Sequence, residues 1–205
     1  MKVANHFGLI NLLITEGVIV IQNTTIRNTS TAVPVGVYTQ NVFLKKSTIQ
    51  SIATAITSML QREVTVIAGV GFDGIPLAYE IGNYSHKRFV PVQSSDSAKL
   101  AGFKETFPLN EEKVAIITGV MTTGDECLDA ARQIERAGGK VVGIFSLFDY
   151  GIRSRYSLRS EIRSLVNMAE LAEEHFGETD STKIKAWLNQ NKGLLRQEEK
   201  AGLLV

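Results

Sequence analysis

The chain has 205 residues, 44% of them hydrophobic and 21% charged, with a net charge of +1. That length suits one α/β domain with appendages, and the balanced charge argues against a dedicated nucleic-acid or membrane-surface binder. The single cysteine, Cys127, excludes an internal disulfide, and no apolar run approaches the roughly 18 to 20 residues of a membrane span.

The N-terminal stretch MKVANHFGLINLLITEG carries one lysine and a short apolar run. Asn5, His6 and Asn11 interrupt that run and no A-x-A site follows, so it reads as an amphipathic helix and not as a signal peptide. A cytoplasmic protein is the expectation. The spacing of Phe7, Ile10, Leu13 and Ile14 predicts that helix over residues 3–16. VIVIQN and TTIRNTSTAVPVGVYTQN read as short β segments broken by Pro34 and Gly36. In KKSTIQSIATAITSMLQ, Ile49, Ile52, Ala53, Ile56, Met59 and Leu60 share one helical face.

A regular alternation follows: EVTVIAGV as strand, GFDG as turn, IPLAYEIGNY as short helix and KRFVPVQ as strand. SSDSAKLAGFKETFPLNEE is a polar connection, long enough to suggest a functional or mobile loop. KVAIITGV then reads as strand, TTGDECLDAARQIERAGG as turn plus helix, and KVVGIFSLFDYG as strand. Near-continuous Val/Ile strands alternating with helices predict a parallel sheet covered on both faces. After Gly151 the chain reads as polar and helical. MAELAEEHFG and STKIKAWLNQ are short helices, the second capped by Asp180 or Ser181, and the terminal RQEEKAGLLV is expected to fray.

Few residues invite chemistry by type alone. Cys127 falls inside a helix, as a small packing residue does, and His6, His86 and His175 lack zinc-ligand spacing. In GIRSRYSLRSEIRSLV, Arg155, Arg159 and Arg163 recur every fourth residue beside Arg153 and Tyr156, which on a helix makes a basic stripe. With Glu161 nearby, a solvated face is the simpler account of it.

The strand–turn–helix–strand unit VAIITGVMTTGDECLDAARQIERAGGKVVGIF resembles the phosphoribosyl-diphosphate (PRPP) motif of type I phosphoribosyltransferases. VIAGVGFDGIPLAYEIGNYSHKRFVPV is similar, more narrowly, to the pyrophosphate loop region of orotate phosphoribosyltransferases. The resemblance implies a Rossmann-like parallel sheet flanked by helices in a single 1–205 domain. Its parts would be an N-terminal helix and β hood (1–44), an α/β core (45–150) and a helical C-terminal segment (151–205). It also implies a homodimer, PRPP as ligand, and magnesium (Mg2+) as cofactor if the protein is active.

Carried over position by position, the resemblance breaks at the ligand contacts. Thr118 and Gly119 stand where the family has the acidic pair that holds the ribose hydroxyls. Thr122, Thr123 and Gly124 keep a phosphate-loop turn, but Asp125 and Glu126 replace its next glycine and hydroxyl residue. In the pyrophosphate loop, Gly71, Phe72, Asp73 and Gly74, an acid takes the place of one glycine. Gln93, Ser94, Ser95 and Ser97 follow where basic residues are expected, leaving Lys99 and Lys104 as the mobile-loop lysines. Tyr150 takes the base-side position after Asp149, where the family has an arginine. Acids in a first helical turn are locally favourable.

The expectation is therefore a non-catalytic or weakly active ligand-binding or regulatory homologue, open to a phosphorylated small-molecule ligand. Two alternatives stand beside it. One is an active phosphoribosyltransferase of pyrimidine nucleotide synthesis, with Asp73, Asp125 or Glu126 on magnesium. The other is a nucleic-acid-binding regulator on the same scaffold, which the charge balance disfavours.

Overall fold

The computed structural model describes residues 3–25, 32–92, 107–151, 160–174 and 176–200. Helix α1 (Val3–Thr15) leads into an antiparallel pair, β1 (Ile19–Thr25) and β2 (Ala32–Val37), which forms the hood. A 3-10 segment over Thr39–Leu44, not anticipated from the sequence, connects the hood to α2 (Lys46–Met59). Then come β3 (Val66–Val70), α3 (Gly71–Ser85), β4 (Arg88–Val92), β5 (Lys113–Met121), α4 (Asp125–Arg136), β6 (Lys140–Asp149) and β7 (Glu161–Asn167). Helices α5 (Met168–Glu174) and α6 (Glu178–Lys200) close the described chain. Among the described residues no helix is long and apolar enough to cross a membrane.

The main sheet is parallel, in the order β4-β3-β5-β6-β7. Its central strands β3, β5 and β6 are largely apolar because both faces are covered. On one face Ile67, Ala115, Ile117 and Phe145 pack with Ile52, Ile56, Leu77 and Ile81 of α2 and α3. On the other, Ala68, Ile116 and Ile144 pack with Cys127, Ala130 and Ile134 of α4. Helix α4 stops where its glycines dictate: Gly138 has φ +89, and Gly139 N–H reaches back to Ile134 O at 2.9 Å.

Three local expectations are corrected. GFDG is not a separate turn but the first turn of α3, which follows β3 with no intervening residue. Gly71, at φ +75, makes that abrupt passage available. The segment after Gly151 contains a fifth sheet strand, β7, where helix was expected. A spacing of four puts residues on one side of a helix and also on one side of a strand, so the arginine period could not separate the two; pairing with β6 decides it. Helix α6 begins at Glu178, ahead of either proposed cap. Asp180 instead accepts from Lys183 at 3.0 Å, and the Ser181 hydroxyl donates to Phe176 O.

Candidate functional site

Chain order reverses between β3 and β5, because β3 connects outward to β4 on one side while β5 and β6 extend the sheet on the other. In open parallel sheets ligands bind beyond the carboxyl ends of the strands at such a point. Two segments flank it here: Gly71–Gly74, opening α3, and Thr118–Glu126, running from the end of β5 into α4. The structure brings both predicted motifs together near the carboxyl end of β5.

Close backbone approach builds its floor. A Cβ on Gly74 would lie 2.6 Å from Ile117 O and 2.9 Å from Thr118 Cα, so α3 sits on β5 only because residue 74 is glycine. Thr118 is buried, with its hydroxyl 3.5 Å from Val120 O, at the limit of a hydrogen bond. Gly124 takes φ +86 at the start of α4, which a side chain would resist.

Acids crowd the mouth. The Thr123 hydroxyl donates to Asp125 Oδ2 at 2.7 Å. The Asp73 carboxylate lies over Gly119, and Glu126 Oε2 and Asp73 Oδ1 fall 3.4 and 3.7 Å from where a Cβ on Gly71 would be. Burial pushes the nearby Cys127 thiol up to about 12, helped by the charges of Glu126, Asp73 and Asp149. A thiol so held is not a nucleophile at neutral pH. Phe72 projects into solvent, 84% exposed.

Tyr150 is buried and its hydroxyl donates to Val35 O at 2.9 Å, a contact with the hood. Burial, and secondarily Tyr38, raises its pKa above the ordinary phenol value. Asp149 accepts from Gly151 N–H at 2.7 Å. Arg163 donates to Glu161 and to Met59 O. Gln93, Ser94, Ser95, Ser97, Lys99, Lys104, Arg153, Arg155, Tyr156, Arg159 and His175 lie outside the described residues.

A second concavity, about 340 Å³, lies between the hood and α6, lined by Gln22, Asn23, Pro34, Asp180 and Lys183 among others. Its two charges pair with each other, and neither predicted motif contributes to its lining.

The chain is 30% identical over 151 residues to the orotate phosphoribosyltransferase of Listeria monocytogenes serotype 4b (strain F2365), covering 67% of this chain and 72% of that relative. The chain belongs to the orotate phosphoribosyltransferase family. No protein-family model matches it. The Francisella tularensis orotate phosphoribosyltransferase structure superposes with a TM-score of 0.69 at 16% identity, covering 89% of this chain and 98% of that one. The Mycobacterium tuberculosis H37Rv orotate phosphoribosyltransferase, solved in complex with 5-phospho-α-D-ribosyl 1-diphosphate, superposes with a TM-score of 0.59 at 18% identity over 82% and 98% of the two chains. These structures share the type I phosphoribosyltransferase fold with this chain.

The family's magnesium can be tested against the residues present. Asp73, Asp125 and Glu126 are acids of the right hardness. Among the described residues, however, no group of three or more His, Cys, Asp or Glu is arranged to hold a metal ion. Sequence reasoning marked both loops but missed the seating of Asp73 on Gly119: the two lie 46 positions apart, and no local pattern links them.

Proposed function

We propose that this chain is a ligand-binding homologue of the orotate phosphoribosyltransferases whose phosphoribosyl transfer is lost or slow. The observation that carries this reading is the hydrogen bond from Thr123 to Asp125. A phosphate loop offers hydroxyls and helix N–H groups to an anion; here the loop's own carboxylate has taken the hydroxyl. A phosphate entering it must displace that carboxylate or lie beside it. At about 5 Å and an effective dielectric near 20, the repulsion is about 3 kcal/mol per unit charge, roughly a hundredfold in affinity. Asp73 and Glu126 add charge of the same sign around Gly71.

The same reading places the protein in the cytoplasm as a homodimer. Supporting the dimer, Phe72, Tyr79 and Tyr84 are large, exposed and all on α3. Sedimentation should give twice the 22.5 kDa chain mass. Steady-state assay with PRPP, orotate and magnesium should give turnover far below about 1 per second, the low end of ordinary enzymes. Turnover at or above that rate would refute the proposed loss of transfer.

A further inference from the structure

Tyr150 stands where the sheet, the hood and the loop between β5 and α4 meet. Its N–H donates to the carbonyl of Met121, the last residue of β5, at 3.0 Å. Its hydroxyl donates to Val35 O of β2 at 2.9 Å. The side chain thus bridges the end of β6 to the hood, next to the point where the loop leaves β5.

The ring is boxed in. Phe148 meets it edge-to-face at 4.9 Å, and Trp187 at 6.4 Å. Trp187 is itself pinned to the hood, its Nε1–H donating to Ala32 O at 2.6 Å. Only 5% of Tyr150 is exposed. Swinging the ring aside would give up the hydrogen bond to Val35 and both aromatic contacts, so the closed position is the stable one.

Phosphoribosyl transfer joins a flat base to a sugar, and the two reactants must lie side by side. With a sugar phosphate at the loop after β5, the base needs a flat slot next to that loop, between the hood and the end of β6. A flat group of the chain's own is already in that place. We infer that Tyr150 is a built-in plug: its ring takes the space between the hood and the strand ends that a planar base would enter, and shuts bases out of the native chain. This rests on the proposed loss of transfer and deepens it, by naming the residue that excludes the second reactant.

The test follows the chain's only tryptophan, Trp187, whose ring lies beside the plug and reports on any group that replaces it. The native chain, Tyr150→Phe and Tyr150→Ala are titrated with two probes. One is uracil, a neutral planar base that the nearby carboxylates do not repel; the other is 4-methylphenol, the side chain that the alanine removes. Apolar cavities left by a removed side chain accept ring-sized molecules. Tyr150→Ala binds both probes with a Kd of about 1 mM or tighter and changes its Trp187 emission, while the native chain and Tyr150→Phe bind each at least roughly tenfold more weakly. Uracil bound to the native chain or to Tyr150→Phe as tightly as to Tyr150→Ala overturns the inference, because the ring was not in its way. So does a Tyr150→Ala that takes 4-methylphenol and refuses uracil, or that takes neither: the ring would then be packing alone and bar no base.

Thermal unfolding covers a weakly folded variant. Uracil at about 10 mM raises the Tm of Tyr150→Ala by a few degrees, or restores an unfolding transition that the substitution has abolished, and leaves the native Tm unchanged. An equal rise in the native chain, or no effect on the variant, overturns the inference. Uracil binding to the native chain without turnover sinks the plug alone, whereas turnover with PRPP and orotate refutes the proposed loss of transfer, so the two failures are distinguishable.

Discussion

Gly74 shows how one missing side chain sets the cleft. A Cβ there would meet two backbone positions of β5, Ile117 O and Thr118 Cα, neither of which can rotate away. Gly74→Ala must therefore push α3 off the sheet, and urea unfolding should show a loss of about 1–3 kcal/mol. Gly8 in α1 is the control: a Cβ there meets nothing within 4 Å. Gly8→Ala should gain about 0.5–1 kcal/mol from helix propensity alone. Cys127 belongs to the same scale. Its thiol should stay unmodified by Ellman's reagent at pH 8 while the chain is folded, and react once urea exposes it.

At the scale of elements, the hood is tied to the body by side chains from the opposite end of the chain. Tyr150, leaving β6, donates to Val35 O, and Trp187 Nε1 of α6 donates to Ala32 O at 2.6 Å. Edge-to-face contacts link Phe148 to Tyr150 at 4.9 Å and Tyr150 to Trp187 at 6.4 Å. Trp187→Ala removes both the anchor and its hydrogen bond, with an expected cost of about 3–5 kcal/mol. Hydrogen exchange should quicken first in β2. Tyr150→Phe keeps the ring and should cost only about 1 kcal/mol, with exchange in the parallel sheet little changed.

For the molecule as a whole, the buried groups predict an alkaline limit. The Cys127 thiol is raised from 9.0 to about 12 in the fold, chiefly by burial, and Tyr150 is raised as well. Both are neutral when protonated, so above pH 9 the unfolded chain releases protons that the folded chain keeps. Folded molecules bind more protons in that window, and stability therefore falls as pH rises. Their contribution is complete below about pH 9; the thiol's share is lost by about pH 12. Each unit of pH within the window removes about 1.4 kcal/mol per group. Unfolding curves at successive pH values should show this slope, and Cys127→Ala should flatten it by one group's worth.

The sequence by itself determined the layers. Apolar runs in residues 66–70, 113–121 and 140–149 mark strands buried on both faces, and the glycine stop at 138–139 ends α4 where a Schellman turn needs it. It also marked both cleft loops and the acids that depart from their expected pattern, because periodicity and capping are local and repeat within a few residues. The tertiary structure alone decided what those residues meet. β7 is a strand because β6 offers it an edge to pair with. Tyr150 turns to the hood because Val35 presents an acceptor 115 residues away along the chain. Asp73 covers the end of β5 because Gly119 and Gly74 let α3 come that close. Such contacts depend on how distant segments pack, and packing leaves no period in the chain that makes it.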